Sequence, residues 1–203
     1  MQLTAQDALL IVDVQNDFLP HGALAVAGGD EIIPVLNGYI ALFVRLGLPV
    51  IATRDWHSEH HCSFKQHGGI WPPHCIAGSM GAQFPAQLKL PAASLIVSKA
   101  RSDRRDAYSG FDRTNLASQL RLRGVKRLLV GGLATDYCVF NTVKDALAHG
   151  FEVLLLTDAI RAVEVKPGDG QRAIHEMMAL GAAPLQLAEL GDACCIAGSH
   201  AHM

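Results

Sequence analysis

The stretch Arg127-Leu128-Leu129-Val130-Gly131-Gly132-Leu133-Ala134-Thr135-Asp136-Tyr137-Cys138-Val139 decides the fold, because a short apolar run, a glycine-bounded turn and the start of a helix follow one another without interruption. Arg127–Val130 reads as a strand, and Val139, Val143, Ala146 and Leu147 recur beyond it at helical spacing. Strand, tight turn and helix in succession form the repeating unit of an α/β domain. The unit also places Cys138 in the first turn of the helix. Unpaired N–H groups and the positive end of the helix dipole favour an anion there, which predicts a stabilised thiolate and marks Cys138 as a candidate nucleophile.

Working outward, further apolar, β-branched runs at 8–14, 49–53, 94–97, 152–156 and 184–187 read as strands. Helical patterns occupy 32–46, 114–123, 135–149 and 168–180. The alternation predicts one α/β domain over 1–197 with three α/β/α layers around a mostly parallel six-stranded sheet, followed by a flexible tail at 198–203. Gly47, Gly124 and Gly150 each precede a strand and are read as left-handed helix ends. From 55 to 91 the rhythm gives way to Gly, Pro, His and aromatic residues. Trp56, Phe64, Trp71 and Phe84 argue for an ordered insertion over the strand ends, where α/β sheets bind ligands.

Composition narrows the function. With 203 residues, half of them apolar, 18% charged and a formal net charge of −2, the chain has one substantial core and no basic field for nucleic acid. No apolar run approaches the ~20 residues a membrane span needs, so the expectation is a cytoplasmic protein with neither membrane nor nucleic acid as partner. Five cysteines, an odd number, read as reduced thiols. The vicinal Cys194-Cys195 pair reads as small buried hydrophobes.

Three strand ends carry chemistry. Asp13 closes the first strand, Lys99 the third, and Cys138 follows the fourth, so a carboxylate, an ammonium and a thiol can meet in one crevice. Singly, Asp13 also reads as a turn cap and Lys99 as a solvated strand end. Asp55 and His57, two apart on an extended segment, point to one side, and His74 can complete a two-histidine, one-carboxylate set suited to zinc, iron or manganese, with His61 as a further ligand or a partner orienting the others. The alternative is that these are loop histidines bonded to backbone, the reading preferred for His60 and His67. Phe18, Trp71 and Tyr108 neighbour these positions and could flank a planar ring, or simply pack in the core.

Together, 12–18 (VDVQNDF), 53–57 (TRDWH), 71–75 (WPPHC), Lys99, 106–111 (DAYSGF) and 132–139 (GLATDYCV) resemble the nicotinamidase group of the isochorismatase-like cysteine hydrolases, in family order through the first two-thirds of the chain. The resemblance implies hydrolysis of nicotinamide to nicotinate and ammonia, and of pyrazinamide to pyrazinoate, as a step of NAD salvage. In that scheme Cys138 attacks the amide, Asp13 is base and then acid, Lys99 holds the pair, and the N–H groups of Ala134 and Cys138 form an oxyanion hole beside a cis Leu133–Ala134 peptide. One divalent metal on Asp55, His57 and His74 binds the pyridine nitrogen, no organic cofactor is needed, and Phe18, Trp71, Leu133 and Tyr108 contact the substrate. Some such hydrolases assemble into homo-oligomers. The segment Ser58-Glu59-His60-His61-Cys62 departs from the family pattern, in which proline commonly follows D-W-H; His61 aligns with the family's later histidine. Members acting on isochorismate or N-carbamoyl amines are the alternatives within the superfamily, and a silent scaffold is the alternative outside it.

Overall fold

The computed structural model describes residues 1–194, with side chains through 190. Expectations about the Cys194-Cys195 pair, the domain end at 197 and the tail at 198–203 fall outside the described residues.

Six strands, β1 (Asp7–Val12), β2 (Val50–Asp55), β3 (Leu95–Lys99), β4 (Arg127–Leu133), β5 (Glu152–Arg161) and β6 (Ala183–Leu185), form one sheet in the order β3-β2-β1-β4-β5-β6. Every pairing is parallel, so the sheet is fully rather than mostly parallel. Helices α1 (Ile32–Arg45), α2 (Leu116–Leu122), α3 (Phe140–Ala148) and α4 (Asp169–Ala179) cover it. Side chains alternate across a strand, and the two faces separate cleanly. Leu9 and Ile11 of β1 join Leu36, Tyr39 and Phe43 of α1 on one side, whereas Ala8, Leu10 and Val12 join Leu116, Val143 and Met177 of α2, α3 and α4 on the other. Among the described residues, no helix is long and apolar enough to cross a membrane.

The chain winds outward from β1 to β3, then returns to lay β4 against the free side of β1. This makes the β1/β4 boundary the topological switch point, and the segments leaving these two strands carry Asp13 and Cys138.

Two boundaries differ from the sequence expectation for reasons that matter to the site. β1 stops at Val12 rather than running to 14 because Asp13 takes a left-handed backbone, φ +49°. β4 runs three residues past Val130, through the glycines read as a turn. Gly132, at φ +127°, lies so close to β1 that a Cβ there would sit 2.6 Å from the Val12 nitrogen and closer still to its carbonyl oxygen. The helix expected at 135–149 opens with a π-helical turn, Thr135–Val139, before α3 begins. Gly47, Gly124 and Gly150 are left-handed, as read.

The insertion between β2 and β3 has little regular secondary structure, one 3-10 turn at Lys65–His67 and isolated bridges pairing His57 with Ile76 and Phe64 with Trp71. The loop after β1 holds it down. Asn16 N–H donates to Gln83 O (2.9 Å), Asp17 N–H to Gly81 O (3.0 Å), and Asp17 Oδ2 accepts from Cys75 N–H at 2.6 Å.

Candidate active site

Asp13, Lys99 and Cys138 meet behind the wall of one pocket, and all three are buried. Register explains the first step: β2 and β3 pair with Asp55 directly beside Lys99. The Lys99 ammonium spends its three protons on Asp55 Oδ1 (2.5 Å), Ala107 O (3.0 Å) and Cys138 Sγ (3.5 Å). Asp13 Oδ2 lies 2.9 Å from the same nitrogen as an ion pair, at an angle that makes no hydrogen bond. The other oxygen, Oδ1, accepts from the Thr53 hydroxyl at 2.7 Å. Asp13 Oδ2 therefore keeps a free lone pair in the thiol's immediate surroundings.

Burial dominates the protonation of this cluster. It raises the Asp13 carboxyl above its ordinary range, with Lys99 pulling the other way, and pushes the Cys138 thiol well up, again against Lys99. The shift at Cys138 is thus towards the protonated thiol, opposite in direction to the thiolate that a helix start favours. The first turn is π-helical, Cys138 within it is buried, and desolvation beside Asp13 and Asp55 raises its pKa against the pull of Lys99. A carboxylate of raised pKa is in turn a better-matched proton acceptor at neutral pH. Burial opposes the Lys99 charge, but the Asp13 and Asp55 carboxylates raise its pKa well above the usual value.

A second cluster adjoins the first through Asp55. Asp55, His57 and His74 each offer an atom within 4.8 Å of the others, and all are buried. The histidine tautomers are set by backbone: Nδ1–H of His57 faces Ala100 O (3.2 Å) and Nδ1–H of His74 faces Pro72 O (2.8 Å), so each ring turns a bare Nε2 inward. His57 Nε2 has no hydrogen-bond partner and stands 3.7 Å from Asp55 Oδ2. Burial lowers the pKa of His74, keeping it neutral, and Lys99 and His57 hold Asp55 below the usual carboxylate range despite its burial. One carboxylate and two imidazoles that turn Nε2 inward, one of these nitrogens buried without a partner, fit a divalent cation of the zinc, iron or manganese type. His61 is not one of this trio. Its ring lies 4.1 Å from that of His57, its Nδ1 faces the Ser63 hydroxyl at 2.8 Å and Ser63 N–H at 3.3 Å, and its buried Nε2, like that of His57, has no hydrogen-bond partner. His60 and His67 are exposed.

Between the clusters lies a pocket that is open at its mouth. Phe18, Trp71 and Tyr108 line it, as do Ala134 and Cys138. Leu133 does not: its side chain is fully buried in the α1-side core, against Gly29. Sequence reasoning missed Tyr137, whose ring meets Trp71 at 5.1 Å and Tyr108 at 5.6 Å while Trp71 Nε1–H donates to the Tyr108 hydroxyl (3.0 Å). Its position next to Cys138 was the available signal. It also missed Val163, which is tied to the π turn by the Asp136 carboxylate accepting from Val163 and Glu164 N–H (2.9 and 3.0 Å).

Between the end of β4 and the π turn, the Leu133–Ala134 peptide is cis. Tyr137 and Val139 N–H close onto the Ala134 carbonyl (3.1 and 3.0 Å), leaving the N–H groups of Ala134 and Cys138 out of that closure.

Comparison with known proteins agrees with this geometry. The isochorismatase domain family matches residues 7–189. A nicotinamidase of Escherichia coli is 39% identical over 90% of this chain and 95% of its own, and a nicotinamidase/pyrazinamidase of Mycobacterium tuberculosis is 38% identical over 77% and 87%. A crystal structure of a pyrazinamidase of Pyrococcus horikoshii in complex with zinc superposes with a TM-score of 0.86 at 49% identity, covering 89% of this chain and 99% of that one. Fold, match and relatives converge: the chain is an enzyme of the isochorismatase-domain family, in the group that contains nicotinamidases and pyrazinamidases.

Proposed function

We propose that the protein hydrolyses nicotinamide to nicotinate and ammonia, with pyrazinamide as a second substrate, through a thioester on Cys138, in the cytoplasm and as part of NAD salvage. One observation carries the reading: the wall of a single aromatic-lined pocket includes both the Cys138 thiol and the Asp55, His57, His74 trio. A planar ring between Phe18, Trp71 and Tyr137 can present an amide to the first and a ring nitrogen to the second.

Asp13 Oδ2 takes the thiol proton as Sγ attacks the amide carbon. The N–H groups of Ala134 and Cys138 meet the oxyanion, and such donors are worth about 3–4 kcal/mol each in acyl transfer. Asp13 then returns the proton to the departing nitrogen, and ammonia leaves a thioester. In the second half Asp13 takes a proton from water, water oxygen attacks the thioester carbon, and the carboxylic acid departs as the thiol is reprotonated. Lys99 holds Asp13 and Sγ in register and keeps the pair's charge compensated throughout. Asp55, His57 and His74 would hold a divalent cation, which supplies a Lewis acid for the lone pair of the ring nitrogen.

Ammonia release from nicotinamide, measured before chelation, after chelation and after zinc, iron or manganese add-back, tests the reading. Release that falls on chelation and returns with metal supports it. Folded, metal-loaded protein that releases no ammonia refutes it and redirects attention to N-carbamoyl amines.

A further inference from the structure

Gln15 is fully buried at the β1 carboxyl end, and neither the triad nor the metal trio uses it. Its side chain makes three hydrogen bonds. Oε1 accepts from Asp55 N–H at 2.7 Å, while Nε2 donates to Asp55 O at 2.8 Å and to Ala82 O, in the insertion, at 2.9 Å. The amide thus grips both backbone polar groups of one residue, at the last position of β2. The carboxylate of that residue is fixed separately, because Lys99 Nζ occupies Oδ1 and leaves Oδ2 turned towards His57 Nε2.

We propose that Gln15 is a positioning residue of the cation centre: by clamping the Asp55 backbone while Lys99 holds Oδ1, it determines that a single oxygen, Oδ2, is presented to a divalent cation beside His57 and His74. The inference rests on the cation reading given above. Partners outside the ligand set typically change metal affinity by about 10- to 100-fold when removed. Gln15 reaches Asp55 at three atoms' remove from the ligating oxygen, so a loss of about 10-fold is expected.

The experiment is a zinc dissociation constant, measured by competition with a chromophoric chelator, for the full chain, Gln15→Met and Gln15→Glu, with thermal unfolding of each metal-free protein alongside. Gln15→Met keeps the length and removes all three bonds, and zinc binding weakened by about 10-fold or more supports the proposal. Gln15→Glu keeps an acceptor for Asp55 N–H, loses the amide donors and adds negative charge. Simple charge attraction would tighten zinc binding in that variant, whereas misplacement of Asp55 weakens it. Should Gln15→Met fail to fold, the sign of the Gln15→Glu change alone decides. A folded Gln15→Met with unchanged zinc affinity but a lower unfolding temperature overturns the proposal and leaves Gln15 as a tie between β2 and the insertion. Full-length native sequence that binds no zinc, iron or manganese refutes the cation reading itself, a separate outcome.

Discussion

Replacing Lys99 by Met keeps most of the side chain's apolar stem and removes its ammonium, with its charge and its donors to Asp55, Ala107 O and Cys138 Sγ. In the native structure that ammonium is the counter-ion of two buried carboxylates, 2.9 Å from Asp13 Oδ2 and 2.5 Å from Asp55 Oδ1. Breaking a buried pair by deleting one partner costs about 3–5 kcal/mol, because a charge is left uncompensated in a place water cannot reach. For a chain of this size each kcal/mol lowers the unfolding temperature by about 2–4 °C, so the metal-free variant should melt about 6–20 °C below the parent. The pH dependence has a definite sign. Lys99 holds Asp55 below the usual carboxylate range, so this pair contributes stability above the unfolded carboxylate pKa and loses it as pH falls. Without Lys99 both carboxyls are raised by burial and take up protons at higher pH, which removes the uncompensated charge. The deficit of the variant is therefore full at pH 7 and shrinks towards pH 4.5. Thermal unfolding with chelator present, at several pH values, reads both quantities. A deficit under about 3 °C, or one that stays constant between pH 7 and 4.5, refutes the view of Lys99 as the counter-ion of the cluster.

Other perturbations separate chemistry, binding and folding. Cys138→Ala should lower ammonia release by more than ~10³-fold while leaving the circular dichroism spectrum unchanged; retained turnover would rule out the thioester route. Trp71→Phe deletes the hydrogen bond to the Tyr108 hydroxyl that braces the aromatic wall, and a net bond of about 0.5–1.5 kcal/mol corresponds to a KM raised about 2- to 10-fold with kcat nearly unchanged. A fall in kcat alone would place Trp71 in the chemical step. Gly132→Ala drives a methyl group into the Val12 backbone and should cost more than about 3 kcal/mol by urea unfolding, whereas Gly150→Ala, left-handed but with open space around it, should cost about 1 kcal/mol. Equal costs at the two positions would show that β1 and β4 can separate to admit a side chain.

The central strands β1 and β4 were legible because each carries a run of apolar residues buried on both sides of the sheet, and the helix ends because Gly47, Gly124 and Gly150 are left-handed. What the runs could not show was strand order. Asp55 and Lys99 lie 44 residues apart, and only the β2–β3 register makes them neighbours, so the link between the two clusters was invisible even though both residues had been singled out. The β4 end was misplaced for a related reason. Gly131 and Gly132 read locally as a turn, whereas tertiary packing uses the missing side chain of Gly132 to bring β4 against β1. Leu133 was drawn towards the pocket by its neighbours in sequence, but strand alternation turns it into the core on the α1 side. The upward shift at Cys138 was not legible, because local dipoles can be read from a helix start while desolvation depends on the whole fold.

The seam between the loop after β1 and the insertion divides the site into halves with different origins of order. The nucleophile, its base and its lysine stand at the ends of paired strands and share the free energy of the sheet. Trp71 and His74 belong to a segment with few bridges of its own, and its attachment through Gln15, Asn16 and Asp17 is a handful of hydrogen bonds. Local opening draws on such weakly tethered segments first. Opening of this seam would remove the ring and cation contacts while the thiol stays mounted on the sheet, so the capacity to recognise substrate and the capacity to react with it are lost at different free energies.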